Sequence, residues 1–114
     1  MKSVAEIPLA PRDRRAIAEA SSLLRRDFPV EEVILFGSKA RGDDRADSDI
    51  DILILTTYPL DWRQRDAITD ALYPLQLELE RFFSPIIVSG EEWRHGVYQA
   101  LPLRQEIDRD GAIA

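Results

Sequence analysis

Two short apolar runs separated by a polar stretch constrain the fold of this chain most strongly. Residues 33–36 read Val-Ile-Leu-Phe, and residues 52–55 read Ile-Leu-Ile-Leu. Both runs have the length of a strand and are rich in strand-forming residues without polar alternation, a pattern typical of buried strands. We therefore expect two buried strands that bracket one polar loop.

The loop itself predicts an anion site beside a metal site. Gly37 permits a sharp turn at the end of the first strand, and residues 38–41 can open a short helix whose free N–H groups point back at that end. Asp49 and Asp51 are two residues apart at the start of the second strand, so their carboxylates project from the same face. The alternative is a pair of solvated carboxylates, but these would repel each other without a cation.

Composition limits the classes of function. A chain of 114 residues predicts one domain, and its net charge of −6 argues against binding to a nucleic-acid backbone, which needs a basic face. The same charge is compatible with a small phosphate ligand held with a divalent cation, and it favours a basic protein partner. The absence of cysteine excludes disulfides and thiolate metal sites. We expect no membrane association and a cytoplasmic location, because the apolar runs are too short for a bilayer and residues 1–8 lack the apolar core of a signal peptide.

Before the central loop, the pattern predicts an irregular arm at residues 1–10, followed by a single domain over residues 11–114. Pro11 is a favoured first residue of a helix. The apolar residues that follow recur at helical spacing, which predicts an amphipathic helix over residues 12–27.

After the central loop, Asp61 and Gln64 form a capping-box pattern that predicts the start of a second long helix. Pro74 should kink or break this helix, and residues 75–80 suit either a helix or a strand. A third strand is expected over residues 82–88, followed by helices that begin after Ser89 and at Pro102. These elements predict an α/β fold in which helices pack on a small mixed β-sheet.

Two sequence blocks carry a family resemblance. Gly37-Ser38 is followed after ten residues by Asp49-Ile50-Asp51, and residues 35–42 and 48–53 together resemble the signature of the minimal nucleotidyltransferases. These are the smallest members of the DNA polymerase beta-like nucleotidyltransferase superfamily. The resemblance implies that fold, and transfer of a nucleoside monophosphate from a nucleoside triphosphate, commonly ATP, to a hydroxyl with release of pyrophosphate.

The resemblance also implies roles for individual residues. Gly37 and Ser38 would hold the β- and γ-phosphates, while Asp49 and Asp51 would be the catalytic residues that bind one or two Mg²⁺ ions. Lys39 and Arg41 have two alternatives: each contacts the triphosphate, or each only balances the acidic side chains of the loop. Those acidic side chains are Asp43, Asp44 and Asp47.

The match is incomplete at one position. Active members of the family usually carry a third carboxylate on the next strand, and the alternation of side chains along that strand brings Ser84 to the matching position here. Serine is a poor metal ligand and no base. Glu78 or Glu80 would replace it only if the chain bends suitably at Pro74, and solvent-facing positions are expected for both. Catalysis is therefore slow or rearranged, or the domain binds a nucleotide without turning it over.

The resemblance finally implies a partner. Short family members often act as the antitoxin of a two-protein module with a helical HEPN-type ribonuclease toxin, which they modify or mask. We thus expect an enzyme that adenylylates a protein or small molecule, or a binding module that acts by contact. An aminoglycoside-type enzyme is less favoured, because no second domain for an acceptor is present.

Three further residues are candidates for the site. The single histidine, His95, is expected at the surface rather than as a general base. Trp62 and Trp93 are expected to pack in the core or at its rim, with a partner-facing role if they are exposed.

Overall fold

The computed structural model describes all 114 residues, from Met1 to Ala114. One sheet contains every strand, and its members are β1 (Lys2–Ser3), β2 (Val30–Phe36), β3 (Ile50–Thr56), β4 (Phe83–Ser89) and β5 (Ala112–Ile113). The helices are α1 (Pro11–Asp27), α2 (Gly37–Arg41), α3 (Trp62–Leu79), α4 (Gly90–His95) and α5 (Pro102–Asp110). Two 3-10 turns complete the fold, at Val4–Glu6 and Val97–Ala100.

The sheet is mixed and has the order β1-β5-β2-β3-β4. Strand β2 is antiparallel to both β3 and β5, whereas β3 is parallel to β4 and β1 is parallel to β5. The predicted α/β fold with a small mixed sheet is therefore confirmed. The two apolar runs of the sequence form the central strands, which explains why they lack polar alternation.

Helices cover both faces of the sheet. On the first face, α1 and α3 pack against β2 and β3 through a cluster that includes Ile17, Leu35 and Ile52. On the second face, Trp93 of α4 and Ile107 of α5 join a smaller cluster with Leu53 of β3. Because side chains alternate along a strand, Asp51 lies on the second face together with Leu53.

Helix α3 continues through Pro74 to Leu79, so the predicted break does not occur. Leu72, Leu75 and Leu79 are buried at helical spacing, while Leu77 is exposed. Of the two predicted alternatives for residues 75–79, the helix is therefore correct. A strand would have buried Leu75, Leu77 and Leu79 on the same face. Burial of this apolar stripe offsets the hydrogen bond that proline cannot donate.

The N-terminal arm is more ordered than the sequence indicates. Lys2–Ser3 pairs with β5, and Ser3 and Glu6 form a capping box on the turn that follows. Strand β5 was missed as well, although it connects β1 to β2. Strands of two residues are too short to produce a periodic pattern, so only their tertiary pairing defines them.

The cap of α3 gives a test of the fold. The Asp61 carboxylate accepts the backbone N–H of Gln64 at 2.9 Å, and the Gln64 side chain accepts the N–H of Asp61 at 3.0 Å. We expect Asp61→Ala to lower the free energy of unfolding by about 1 kcal/mol, because a free helix N–H loses its acceptor. Asp66→Ala, at an exposed interior position of the same helix, should change it by less than about 0.5 kcal/mol. Urea denaturation measures both, and equal losses would contradict the assigned cap.

Candidate functional site

The turn between β2 and α2 lies directly against a carboxylate of β3. Gly37 is buried and adopts φ of +74°, a conformation that L side chains rarely adopt. A Cβ atom at this position would lie 2.2 Å from Oδ2 of Asp51 and 3.1 Å from its Cγ. Glycine is therefore required here both by the backbone conformation and by the close approach of Asp51.

Sheet pairing brings the two aspartates and Ser84 together. Asp51 is in register with Phe36 of β2 on one side and with Ser84 of β4 on the other. The Ser84 hydroxyl donates a hydrogen bond to Oδ2 of Asp49 over 3.1 Å. Asp49 is exposed, whereas Asp51 and Ser84 are half-buried. The polar edge of the sheet thus holds two carboxylates and one hydroxyl at the start of β3 and β4.

No basic side chain forms an ion pair with Asp49 or Asp51. In the neighbouring loop, by contrast, Asp43 pairs with Arg41 and Asp44 pairs with Lys39. Burial raises the pKa of Asp51, and the nearby charges of Asp49 and Glu106 raise it further. Arg41 and Lys39 act in the opposite direction but do not cancel the increase. The two carboxylates therefore form a site of uncompensated negative charge.

This pair of carboxylates suits a magnesium ion that takes its remaining ligands from a substrate. The structure contains no group of three or more histidine, cysteine, aspartate or glutamate side chains that could hold a metal ion by themselves. Mg²⁺ is usually bound by one or two carboxylates together with substrate phosphates and waters, rather than by a cage of protein ligands. The oxygen donors of Asp49 and Asp51 fit that mode of binding.

Ser38 follows the glycine turn and is half-buried. Its carbonyl oxygen accepts the N–H groups of Gly42 at 2.8 Å and Asp43 at 3.1 Å, which closes α2 after little more than one turn. Its hydroxyl makes no hydrogen bond within the chain, so it is available to a ligand at the position that the sequence assigns to phosphate binding.

Lys39 points into the protein and takes the second of its two predicted roles. Its Nζ atom donates to Asp13 Oδ2 at 2.9 Å and to Asp44 Oδ2 at 3.0 Å, and only 1% of its side chain is exposed. Arg81 donates to the other oxygen of Asp13 at 2.7 Å. Burial by itself lowers the pKa of Lys39, but the hydrogen bonds and charges of both aspartates outweigh it and the pKa is raised. The prediction of a nucleotide contact is therefore replaced by a structural role, because releasing Lys39 would leave Asp13 buried without this partner.

Arg41 lies at the end of α2 and remains partly exposed. Its Nε donates to Asp43 at 3.1 Å, and its Nη1 donates to Glu106 of α5 at 2.9 Å. Sequence reasoning did not identify Glu106, since it lies 65 residues further along the chain and belongs to no motif. The only indirect signal in the sequence is the neighbouring apolar residue Ile107. Its burial fixes which face of α5 packs on the sheet, and this in turn fixes where Glu106 lies.

The two glutamates that were candidates for the third carboxylate pair with arginines and form no metal-binding group with the aspartates. Glu78 and Glu80 are exposed and form ion pairs with Arg15 and Arg12 of α1. Neither replaces the third carboxylate.

The remaining aromatic and imidazole side chains divide between surface and core. His95 is exposed at the end of α4, as expected. Trp93 is buried in the core, whereas 67% of Trp62 is exposed.

Comparison with known proteins identifies the family. A family model of the nucleotidyltransferase domain matches residues 17–88, which include the glycine turn, both aspartates and Ser84. The chain belongs to the nucleotidyltransferase domain family. No curated protein matches its sequence significantly.

Solved structures share the fold of this nucleotidyltransferase domain. A complex described as a toxin-antitoxin with AMP-PNP is similar over 91% of this chain and 72% of its own, with a TM-score of 0.60 and 23% identity. A protein of Sulfolobus solfataricus matches 90% of this chain and 80% of its own, with a TM-score of 0.57 and 23% identity. A complex of a tri-AMPylated HEPN toxin of Shewanella oneidensis with an MNT antitoxin matches 88% of this chain and 69% of its own, with a TM-score of 0.56 and 22% identity.

The contact between Gly37 and Asp51 predicts different effects for two glycine substitutions. Gly42 also has a positive φ, of +82°, but an added Cβ there would meet nothing within 4 Å. Gly42→Ala should therefore cost about 1–2 kcal/mol of stability, from backbone strain alone. Gly37→Ala should cost about 2–4 kcal/mol, because the same backbone strain is joined by the displacement of Asp51, whose Oδ2, Cγ and Cβ would all lie within 3.3 Å of the new Cβ. Chemical denaturation of both variants tests this, and equal losses would show that Asp51 is free to move away.

The uncompensated charge predicts that Asp51→Asn stabilises the metal-free protein. A carboxyl group whose pKa is raised on folding penalises the folded state above that pKa, and the penalty disappears as the pH falls towards the unfolded value. In EDTA at pH 7 the variant should therefore have the higher Tm, and the difference should vanish near pH 4. Asp47→Asn, which removes an exposed charge without an ion pair from the same loop, is the control. A lower Tm for Asp51→Asn at pH 7 would contradict the electrostatic assignment.

Proposed function

We propose that this domain transfers a nucleoside monophosphate, in the first instance AMP from ATP, to the hydroxyl of a HEPN-type toxin and thereby acts as an antitoxin. The observation that carries the proposal is the juxtaposition of the Gly37 turn with Asp51, in register with Ser84. In this arrangement a ligand that binds to the turn meets the two carboxylates at once.

Each residue of this edge has a proposed task. Gly37 lets the triphosphate approach the backbone, and the free Ser38 hydroxyl donates a hydrogen bond to it. Asp49 and Asp51 would hold Mg²⁺, which supplies neutralisation of the charge that develops on the phosphates. Ser84 orients the Asp49 carboxylate through its hydrogen bond.

The transfer itself is a displacement at the α-phosphorus. The acceptor oxygen forms a bond to this phosphorus while the bond to the bridging oxygen of the β-phosphate breaks, and pyrophosphate leaves. The proton of the acceptor hydroxyl passes to solvent water, because Ser84 provides no carboxylate to accept it. We therefore expect slow chemistry, since a positioned general base contributes about 10²–10⁴-fold.

Support for a toxin partner comes from the related structures and from the surface. The structures that share this fold include a toxin-antitoxin with AMP-PNP and an AMPylated HEPN toxin bound to its antitoxin. On the outer side of α3, Trp62, Tyr73 and Leu77 are exposed to 67%, 57% and 59%. They lie 11 and 4 residues apart, which places them along one side of the helix. Exposed apolar side chains of this size favour a protein partner.

A second candidate function follows from Ser84. Without a third carboxylate, the domain would bind Mg²⁺ and nucleotide and would neutralise its partner by contact alone. The same surface of α3 serves both functions, so only chemistry separates them.

The test measures transfer of label from α-labelled ATP to the partner in the presence of Mg²⁺. Wild-type protein should label the partner, and Asp49→Asn/Asp51→Asn should not, because the metal ligands are lost. Asp47→Asn/Glu91→Gln removes the same charge from two exposed positions without ion pairs and should retain labelling. Absence of label, combined with toxin neutralisation that survives the loss of both metal ligands, would refute the enzyme in favour of the binding module.

Restoring the third carboxylate provides a further prediction. Ser84→Asp places an acid beside Asp49 and should increase the rate of label transfer by about tenfold or more, because it adds a metal ligand and a proton acceptor. Ser84→Asn has a similar size without the charge and should not increase it. A rate that is unchanged by Ser84→Asp would mean that this position does not limit the chemistry.

A further inference from the structure

Arg41, a partly exposed cation at the end of α2, is already bound by two carboxylates. Asp43 binds its Nε and Glu106 binds its Nη1. The two carboxylates differ in origin: Asp43 lies two residues along the same loop, whereas Glu106 is presented by α5. Helix α5 is anchored by Ile107, the next residue, which is fully buried on the second face of the sheet. The position of Glu106 is therefore fixed by the fold rather than by the loop.

Glu106 also lies within electrostatic range of Asp51. Its charge contributes to the raised pKa of Asp51, after burial and Asp49. It is nevertheless not part of a metal-binding group with the two aspartates. An anion in this place competes with any other anion that approaches Arg41 or Asp51.

We propose that Glu106 is a positioning residue that holds Arg41 while the site is empty and releases it to the triphosphate when Mg²⁺-nucleotide binds. This inference rests on the proposed function, because it assigns a regulator to the same nucleotide site. Binding exchanges the Glu106 carboxylate for a phosphate oxygen on the guanidinium. Glu106 thereby keeps Arg41 oriented at the end of α2 and weakens the binding of ligands that carry too little charge to displace it.

The exposure of the pair makes the exchange feasible. The side chains of Arg41 and Glu106 are 35% and 34% exposed, so solvent screens their attraction and the pair contributes little to stability. A guanidinium binds a phosphate through two parallel hydrogen bonds, and the phosphate groups of a nucleotide carry more negative charge than a carboxylate. The buried pair of Lys39 and Asp13 has no such freedom, since its members are 1% and 4% exposed.

A double-mutant cycle on binding of a non-hydrolysable ATP analogue with Mg²⁺ tests the proposal. Glu106→Gln should lower the Kd by roughly two- to fivefold, the range expected for loss of a partly exposed ion pair that competes with the ligand. In the Arg41→Gln background the same substitution should lower the Kd less, because no guanidinium remains to be released and only the repulsion between Glu106 and the ligand is lost. Isothermal titration calorimetry gives all four Kd values.

Asp108→Asn is the matched control. It removes one negative charge from the same helix, but Asp108 pairs with Arg104 rather than with Arg41. Its Kd should equal that of the wild type, and the Tm of all variants should confirm that they are folded. An unchanged Kd for Glu106→Gln, or an equal decrease in the Arg41→Gln background, would overturn the inference and leave the proposed function standing. Failure of the wild type to bind the analogue would overturn both.

Discussion

The carboxylate of Asp51 lies against the backbone of Gly37, and the organisation of the site depends on this contact. Because β2 and β3 are antiparallel, the end of one strand and the start of the other meet at the same edge of the sheet. The turn that leaves β2 and the carboxylates that enter β3 are therefore brought together by strand pairing. The residues of the intervening loop need only connect them.

The charges around this contact fall into two groups. Lys39 is buried between Asp13 and Asp44, and it ties α2 and the loop to α1. Removing one partner of a buried ion pair costs about 3–5 kcal/mol, so this lysine is committed to the fold. Arg41 is held by partly exposed carboxylates, and its partners can be exchanged at low cost. Burial thus separates a cation that is fixed in the core from one whose partners are partly exposed, although both lie on the same short helix.

The negative charge of the site is left without such compensation. Neither Asp49 nor Asp51 has a basic partner, and burial together with the charges of Asp49 and Glu106 raises the pKa of Asp51. Repulsion between unpaired carboxylates of this kind is offset in proteins where a divalent cation is bound between them and substrate phosphates. The second face of the sheet leaves this site accessible to solvent. Helices α4 and α5 bury Leu53 and Val88, whereas Asp51 and Ser84 at the starts of β3 and β4 are only half-buried.

The central strands, the two long helices, the glycine turn and the pair of aspartates could all be predicted from the sequence, because each of these leaves a local pattern. Residues 33–36 and 52–55 are apolar without interruption, and the caps at Asp61 and Ser89 have their signature within four residues. Tertiary structure decided what depends on distant contacts. It continued α3 through Pro74, paired β1 with β5, directed Lys39 to Asp13 and placed Glu106 on Arg41. The physical reason is that a hydrogen bond, a cap or a hydrophobic stripe within one element is encoded by neighbouring residues. The partner of a charged side chain is chosen by the packing of elements that are far apart in the chain.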